Sequence, residues 1–286
     1  MNRILLCTDG SPFAEVSYQY GAWFAQRLAA AIDVLYVTDS RTRVAARNYS
    51  ASLGIGASQS LLQQLVELEH EKGQLDHQRA KLILNRAEEV LRDLGVQDLN
   101  LIHETGFLVD FLQKFETDVD LIILGRRGET AEFASEHLGG NVERILRGSH
   151  KPCLVTGAAF QPIQRLLIAY DGSPSCQKLL NLFVSSPAFQ GLETHIISVA
   201  NHPDDREKAE SRLAEARHAV SRSGTGPLCC FRIGHPETLI PQYIKEANID
   251  LLLLGAYGHQ RIRRLVIGST TIQLLRNSPV PAFVFR

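Results

Sequence analysis

Apolar residues along the chain fall into short unbroken runs separated by longer stretches of helical spacing. The runs Leu121–Leu124 and Leu251–Leu254 carry no polar alternation, as expected of parallel strands covered on both faces. On this pattern strands are predicted at Arg3–Thr8, Ala31–Val37, Asn100–Glu104, Leu121–Leu124 and Cys153–Thr156. A second set follows at Leu166–Ala169, Glu193–Val199, Leu228–Ile233, Leu251–Leu254 and Ala282–Phe285. Helices are predicted after Ser11-Pro12 and Ser173-Pro174, where serine can cap and proline suits the first helical position. Strand–helix alternation of this kind predicts an α/β fold with parallel sheets, five strands in each half.

The halves repeat. Arg3-Ile-Leu-Leu-Cys-Thr-Asp9-Gly10-Ser11-Pro12 returns as Arg165-Leu-Leu-Ile-Ala-Tyr-Asp171-Gly172-Ser173-Pro174, and Val119–Gly125 returns as Ile249–Gly255. Ile145–Pro152 returns as Leu274–Pro281 in the same order. The chain therefore reads as two domains, 1–157 and 163–286, with Gly157 to Gln164 as a short linker. The offset between matched positions is 162 at Asp9/Asp171 and 128 at Gly106/Gly234, so the first copy holds 34 more residues (162 − 128). The excess, about 38–78, ends in a long helical pattern through Leu61, Leu65, Leu68 and Leu75, continued by Ile83, Ala87, Val90, Leu91 and Leu94. Gly73 is expected to weaken or kink it. This element is either a surface helix on its own domain or a partner-binding or lid element.

With 286 residues the chain is long enough for two such domains. Thirty basic and 31 acidic side chains leave a net charge of −1, which offers no global field for nucleic acid or an anionic membrane. The apolar run at the N-terminus is too short for a signal peptide, and no stretch approaches a membrane span. Cys7, Cys153, Cys176, Cys229 and Cys230 form no C-x-x-C pair, which fits reduced, mostly buried thiols. A cytoplasmic location is the expectation.

Chemistry gathers at one spacing. Gly255 and Gly258 follow the fourth strand of the second copy, and Gly268, Ser269 and Thr270 open the last helix, giving G-x2-G-x9-G-S. Glycines let the backbone approach a ligand, and a helix start presents free N–H groups and the positive dipole end, which together favour a phosphate. Asp171, ending the first strand of that copy, suits either a ligand or the turn amides of Gly172 and Ser173. His259, Arg261, Arg263 and Arg264 form a basic cluster that either screens phosphates or lies on solvated surface. In the first copy ten residues separate Gly128 from Gly139, and Gly140-Asn141 replaces the serine–threonine pair. Arg126 and Arg127 add positive charge there, while Glu129, Glu132 and Glu136 repel phosphate. Gly234-His235-Pro236 resembles the start of a nucleotidyl-transferase signature but sits after a third strand, where it reads as a turn. No Walker-type loop, nucleophile elbow or metal-ligand spacing occurs in the sequence, so no catalytic residue is assigned.

The Asp-Gly-Ser after each first strand, the G-x2-G-x9-G-S loop and the Asn277-Ser-Pro-Val-Pro281 ending resemble the universal stress protein family, over both copies and nearly the whole chain. The resemblance implies two tandem Rossmann-like domains of the adenine nucleotide α-hydrolase-like kind, each a five-stranded parallel sheet with helices on both faces. It implies ATP, with magnesium or manganese bridging the phosphates. Asp171 with Ala169 and Tyr170 would hold the adenine edge, and Val199 would flank base and ribose. Leu254 and Gly255 would line the ribose side, and Gly258, Gly268, Ser269 and Thr270 would take the phosphates. Asp9, Val37, Gly125, Gly128, Gly139, Gly140 and Asn141 would form a second, weaker site. The resemblance also implies pairing through last strands, here Lys151–Thr156 with Val280–Phe285, as an intramolecular pseudo-dimer that leaves a homodimer open. The function expected is a stress-response regulator or sensor; a pairing scaffold without nucleotide and a slow ATPase are the alternatives.

Overall fold

The computed structural model describes residues 1–39, 59–126, 128, 138–222, 224, 226–256 and 268–286, with the backbone alone at 59–62 and 113. In the first copy the elements run β1 (Arg3–Thr8), α1 (Pro12–Leu28), β2 (Ala31–Asp39), α2 (Gln59–Asp93) and β3 (Leu99–Gly106). They continue with α3 (Leu108–Phe115), β4 (Leu121–Gly125), α4 (Gly140–Gly148) and β5 (Cys153–Thr156). The second copy has β6 (Arg165–Ala169), α5 (Pro174–Ser185), β7 (Glu193–Ala200), α6 (Arg206–Ser221) and β8 (Leu228–Ile233). It closes with α7 (Pro236–Glu246), β9 (Leu251–Gly255), α8 (Ser269–Asn277) and β10 (Ala282–Phe285).

All ten predicted strands form, and their sheets merge. The order β3-β2-β1-β4-β5-β10-β9-β6-β7-β8 is one ten-stranded sheet, parallel within each copy. At its centre β5 and β10 run antiparallel, with Leu154 opposite Phe283. One face packs under α1, α2, α5 and α6 (Phe24, Leu84, Leu179, Leu213), the other under α3, α4, α7 and α8 (Leu112, Ile145, Ile244, Leu274). Burial on both faces is the physical reason the runs lacked alternation. Phe283 stacks with Phe24 of the first copy at 6.1 Å and meets Phe189 of the second at 5.5 Å, so the join between copies is itself core.

Within each copy the order of strands reverses between the first and the fourth, β1 beside β4 and β6 beside β9. The connecting helices lie on opposite faces there, which leaves a crevice at the carboxyl ends of those strands. Two local expectations change. Ser173 caps α5, its hydroxyl accepting from the Cys176 amide at 3.3 Å, but Ser11 is buried and makes no cap bond. Helix α2 runs unbroken through Gly73. A single glycine costs about 1 kcal/mol against alanine, and its neighbours here are helix-favouring Glu, Lys, Gln and Leu. Residues 40–58 of the predicted insertion lie outside the described residues. Among the described residues no helix is long and apolar enough to cross a membrane.

Candidate functional site

The crevice of the first copy is a cavity of about 330 Å³ beyond β1 and β4. Asp9, Gly125, Gly128, Gly139, Gly140 and Asn141 all line it, and an adjoining cavity of about 360 Å³ adds Val37. The turn after β1 sets Asp9 in place. Gly10 takes φ 76°, a conformation that glycine adopts without strain, and Asp9 Oδ1 accepts from the Ser11 amide at 3.0 Å. Gly128 is close-packed on that carboxylate, since a Cβ there would sit 2.7 Å from Asp9 Oδ2. Helix α4 begins beside it with Gly139 at the N-cap and no side-chain cap among the described residues. Its first N–H groups are the orphan donors of any helix start. Cys7 lies on the cavity floor, where burial, reinforced by Cys153, pushes its thiol far up and keeps it neutral.

Two arginines redraw the charge of this cleft. Arg126 lines the first cavity, but its guanidinium donates to the Ser278 carbonyl at 2.6 Å and the Val280 carbonyl at 3.0 Å, across the join into the second copy. Arg144, which the sequence reading passed over, lines both cavities. It lies four residues after Gly140, one helical turn from the helix start, and that spacing was the available signal. Arg127, Glu129, Glu132 and Glu136 lie outside the described residues.

The second copy repeats the frame with different chemistry. Asp171 Oδ1 accepts from the Ser173 amide at 2.8 Å, so the turn role is filled by one carboxylate oxygen. Ala169 and Val199 are half-buried at the ends of β6 and β7 on the face carrying α7 and α8. Tyr170 packs into the opposite core, its hydroxyl 3.4 Å from Glu215, and burial together with Glu215 pushes its phenol up to about 12. Its ring is turned from the crevice, so Tyr170 brings only main chain to that side. Leu254 is buried between β6 and β10. Gly255 leaves no room for a side chain, because a Cβ there would lie 2.8 Å from Cys176 Sγ and 3.0 Å from the Cys176 amide nitrogen.

Gly268 stands at the N-cap of α8, again without a side-chain cap among the described residues, and no acid occupies the first turn. Ser269 is exposed and Thr270 half-buried, while the Thr271 hydroxyl ties the helix start to the Gly255 carbonyl at 3.4 Å. Gly258 and the cluster His259, Arg261, Arg263 and Arg264 lie outside the described residues. Arg212 of α6, also missed in sequence, packs over Gly172 within 3.0 Å of a Cβ placed there. Among the described residues no group of three His, Cys, Asp or Glu side chains is placed to hold a metal ion.

Comparison with known proteins closes the identification. The family model described as the universal stress protein family matches residues 1–157 and again 162–286. A curated universal stress protein of Synechocystis sp. is 49% identical over 288 residues, covering 100% of both chains. One from Methanocaldococcus jannaschii is 28% identical over 155 residues, 54% of this chain and 93% of that one. In fold, a universal stress protein from Archaeoglobus fulgidus superposes with a TM-score of 0.71 at 22% identity, covering 100% of this chain and 96% of that one. With two matches to one family in a single chain and a full-length relative, the protein belongs to the universal stress protein family, in its tandem two-domain form.

Proposed function

We propose that this chain binds an adenine nucleotide, ATP in the first instance, at the crevices beyond its sheet, and acts through that binding as a stress-response regulator. The observation that carries the reading is the pair of helix starts, α4 and α8, without a side-chain cap among the described residues and each set beside the glycine that ends a fourth strand. Bare main-chain amides at a helix start are a phosphate site. The first crevice, about 330 Å³ with about 360 Å³ adjoining, has the volume of a small-ligand pocket.

The second copy is assigned the tighter site. Ser269 and Thr270 add hydroxyl donors and no acid in the first turn competes with a phosphate, whereas α4 carries Glu143 there. In the first copy Arg144 supplies the counter-charge instead. Magnesium or manganese, when present, would sit on the phosphate oxygens and neutralise their charge, since the described side chains offer no metal cluster of their own. Continuity of the sheet through β5 and β10 favours the pairing role as a second, compatible reading.

The test begins with the purified chain denatured and any released small molecule identified by mass spectrometry, followed by titration with ATP. About one adenine nucleotide per chain is expected, lost in Gly268→Val and largely kept in Gly139→Val. Equal affinity in Gly268→Val defeats the assignment to the second copy. No binding by either copy leaves the pairing role standing alone.

A further inference from the structure

The N-terminal part of α2 carries a second apolar face. From Ala80 onward the helix buries Ala80, Leu84, Ala87 and Leu91 in the core. Leu68, Leu75 and Leu82 point to the opposite side and are 61%, 65% and 70% exposed. In sequence Leu61 continues the series at the same seven-residue interval. One exposed leucine needs no explanation, but a row of them opposite the core face does. A seven-residue period is the spacing at which one helix lies along another, because two turns at 3.5 residues return each leucine to the seam. The row spans about 32 Å of helix at 1.5 Å per residue.

We propose that this stripe is a self-association surface, on which a second copy of this chain lays its own α2 antiparallel to form a two-helix coiled coil. The other seam positions are Leu65, Lys72 and Arg79. A parallel pair in register sets Lys72 against Lys72 and Arg79 against Arg79, like charges in contact. An antiparallel pair with its two-fold axis beside Gly73 sets Leu65 against Leu82. It also lays the aliphatic stems of Lys72 and Arg79 over Leu75 and Leu68. Every layer from Leu65 to Leu82 then holds a leucine, and the contact is closed by symmetry at two copies.

Sedimentation of the full chain over a range of concentrations tests this. The native chain is expected at twice its 31.7 kDa mass, falling to the monomer on dilution. Leu68→Glu with Leu75→Glu is expected to remain monomeric throughout with unchanged circular dichroism, since both sites are exposed. A native chain that stays monomeric, as it would if residues 40–58 of the same chain covered the stripe, overturns the proposal. So does a dimer that survives the double substitution. For orientation, Lys72→Cys mixed with Leu75→Cys, each in a Cys229→Ser background, is expected to give a mixed disulfide. Leu82→Cys that cross-links to itself overturns the antiparallel arrangement.

Discussion

Ser269→Asp separates phosphate binding from folding, because the two respond to it with opposite sign. Ser269 is exposed, opens α8, and stands in a first turn that has no acid and, among the described residues, no side-chain cap. A carboxylate there meets the positive end of the helix and stabilises the fold by about 0.3–1 kcal/mol. For a chain of this size that corresponds to a Tm rise of about 1–3 °C. The same carboxylate stands among the amides assigned to the phosphates. Two unit charges about 5 Å apart at an effective dielectric near 20 repel by about 3 kcal/mol, and that distance is inside the screening length of physiological salt. ATP affinity should therefore fall by about 100-fold. Calorimetric titration and a melting curve without ligand read the two quantities on one preparation, with Ser269→Ala controlling for loss of the hydroxyl. If Tm rises and affinity stays within about threefold of the native value, the phosphates do not lie at this helix start. A fall in both quantities would mean that the substitution disturbs the local fold, and the electrostatic argument would fail.

Gly255→Ala should destabilise the chain by about 1–3 kcal/mol, because its Cβ would meet the Cys176 main-chain nitrogen at 3.0 Å, which cannot swing aside. Gly140→Ala has nothing within 4 Å and should be neutral or stabilising by up to about 1 kcal/mol; urea unfolding compares the two. Burial pushes the Cys153 and Cys176 thiols from 9.0 up to about 12, so the unfolded chain loses these protons first and binds fewer of them in that window. Stability should thus be intact below pH 9 and fall as pH rises from 9 towards 12, less steeply in Cys176→Ala; a rise over that range contradicts the assignment. Phe283→Ala removes a fully buried ring in contact with both copies and should cost about 3–5 kcal/mol in the same urea assay. A loss under about 1 kcal/mol would mean the join is not core.

The inner strands β1, β4, β6 and β9 were readable because each is a local event: a run of three or four apolar residues buried on both faces leaves little else for the chain to do. The glycines that end β4 and β9 were readable for a related reason, since close backbone approach leaves a mark at one position. What escaped was decided at long range. Arg126 read as added positive charge on the loop after Gly125, yet its guanidinium's partners are carbonyls 152 and 154 residues away. Ser11 and Ser173 occupy equivalent positions, and only the second caps its helix. Tyr170, Asp171 and Val199 were correctly placed at strand ends, but alternation along β6 turns the Tyr170 ring into the opposite core. The helical pattern through Leu68 and Leu75 was visible, whereas its outward direction depends on where Ala80 and Leu84 find the sheet.

The two copies differ at the residue after the strand-four glycine, Arg126 in one and Ala256 in the other. Both make the same main-chain bond, to the Thr156 carbonyl at 3.2 Å and to the Phe285 carbonyl at 2.8 Å, so the strand ends are held alike. Only Arg126 has a side chain that crosses the join. The Arg126 carbonyl accepts from the Gly139 amide at 3.3 Å, at the start of α4. Its guanidinium grips Ser278 and Val280 just past the end of α8. One residue thus braces the helix start of the first crevice against the far end of the helix that opens on the second. Replacing it by alanine would leave two carbonyls at the join without their charged donor, at about 1–3 kcal/mol. The equivalent position in the second copy, Ala256, has no such bond to lose, so the two copies are not symmetric at this point of the join.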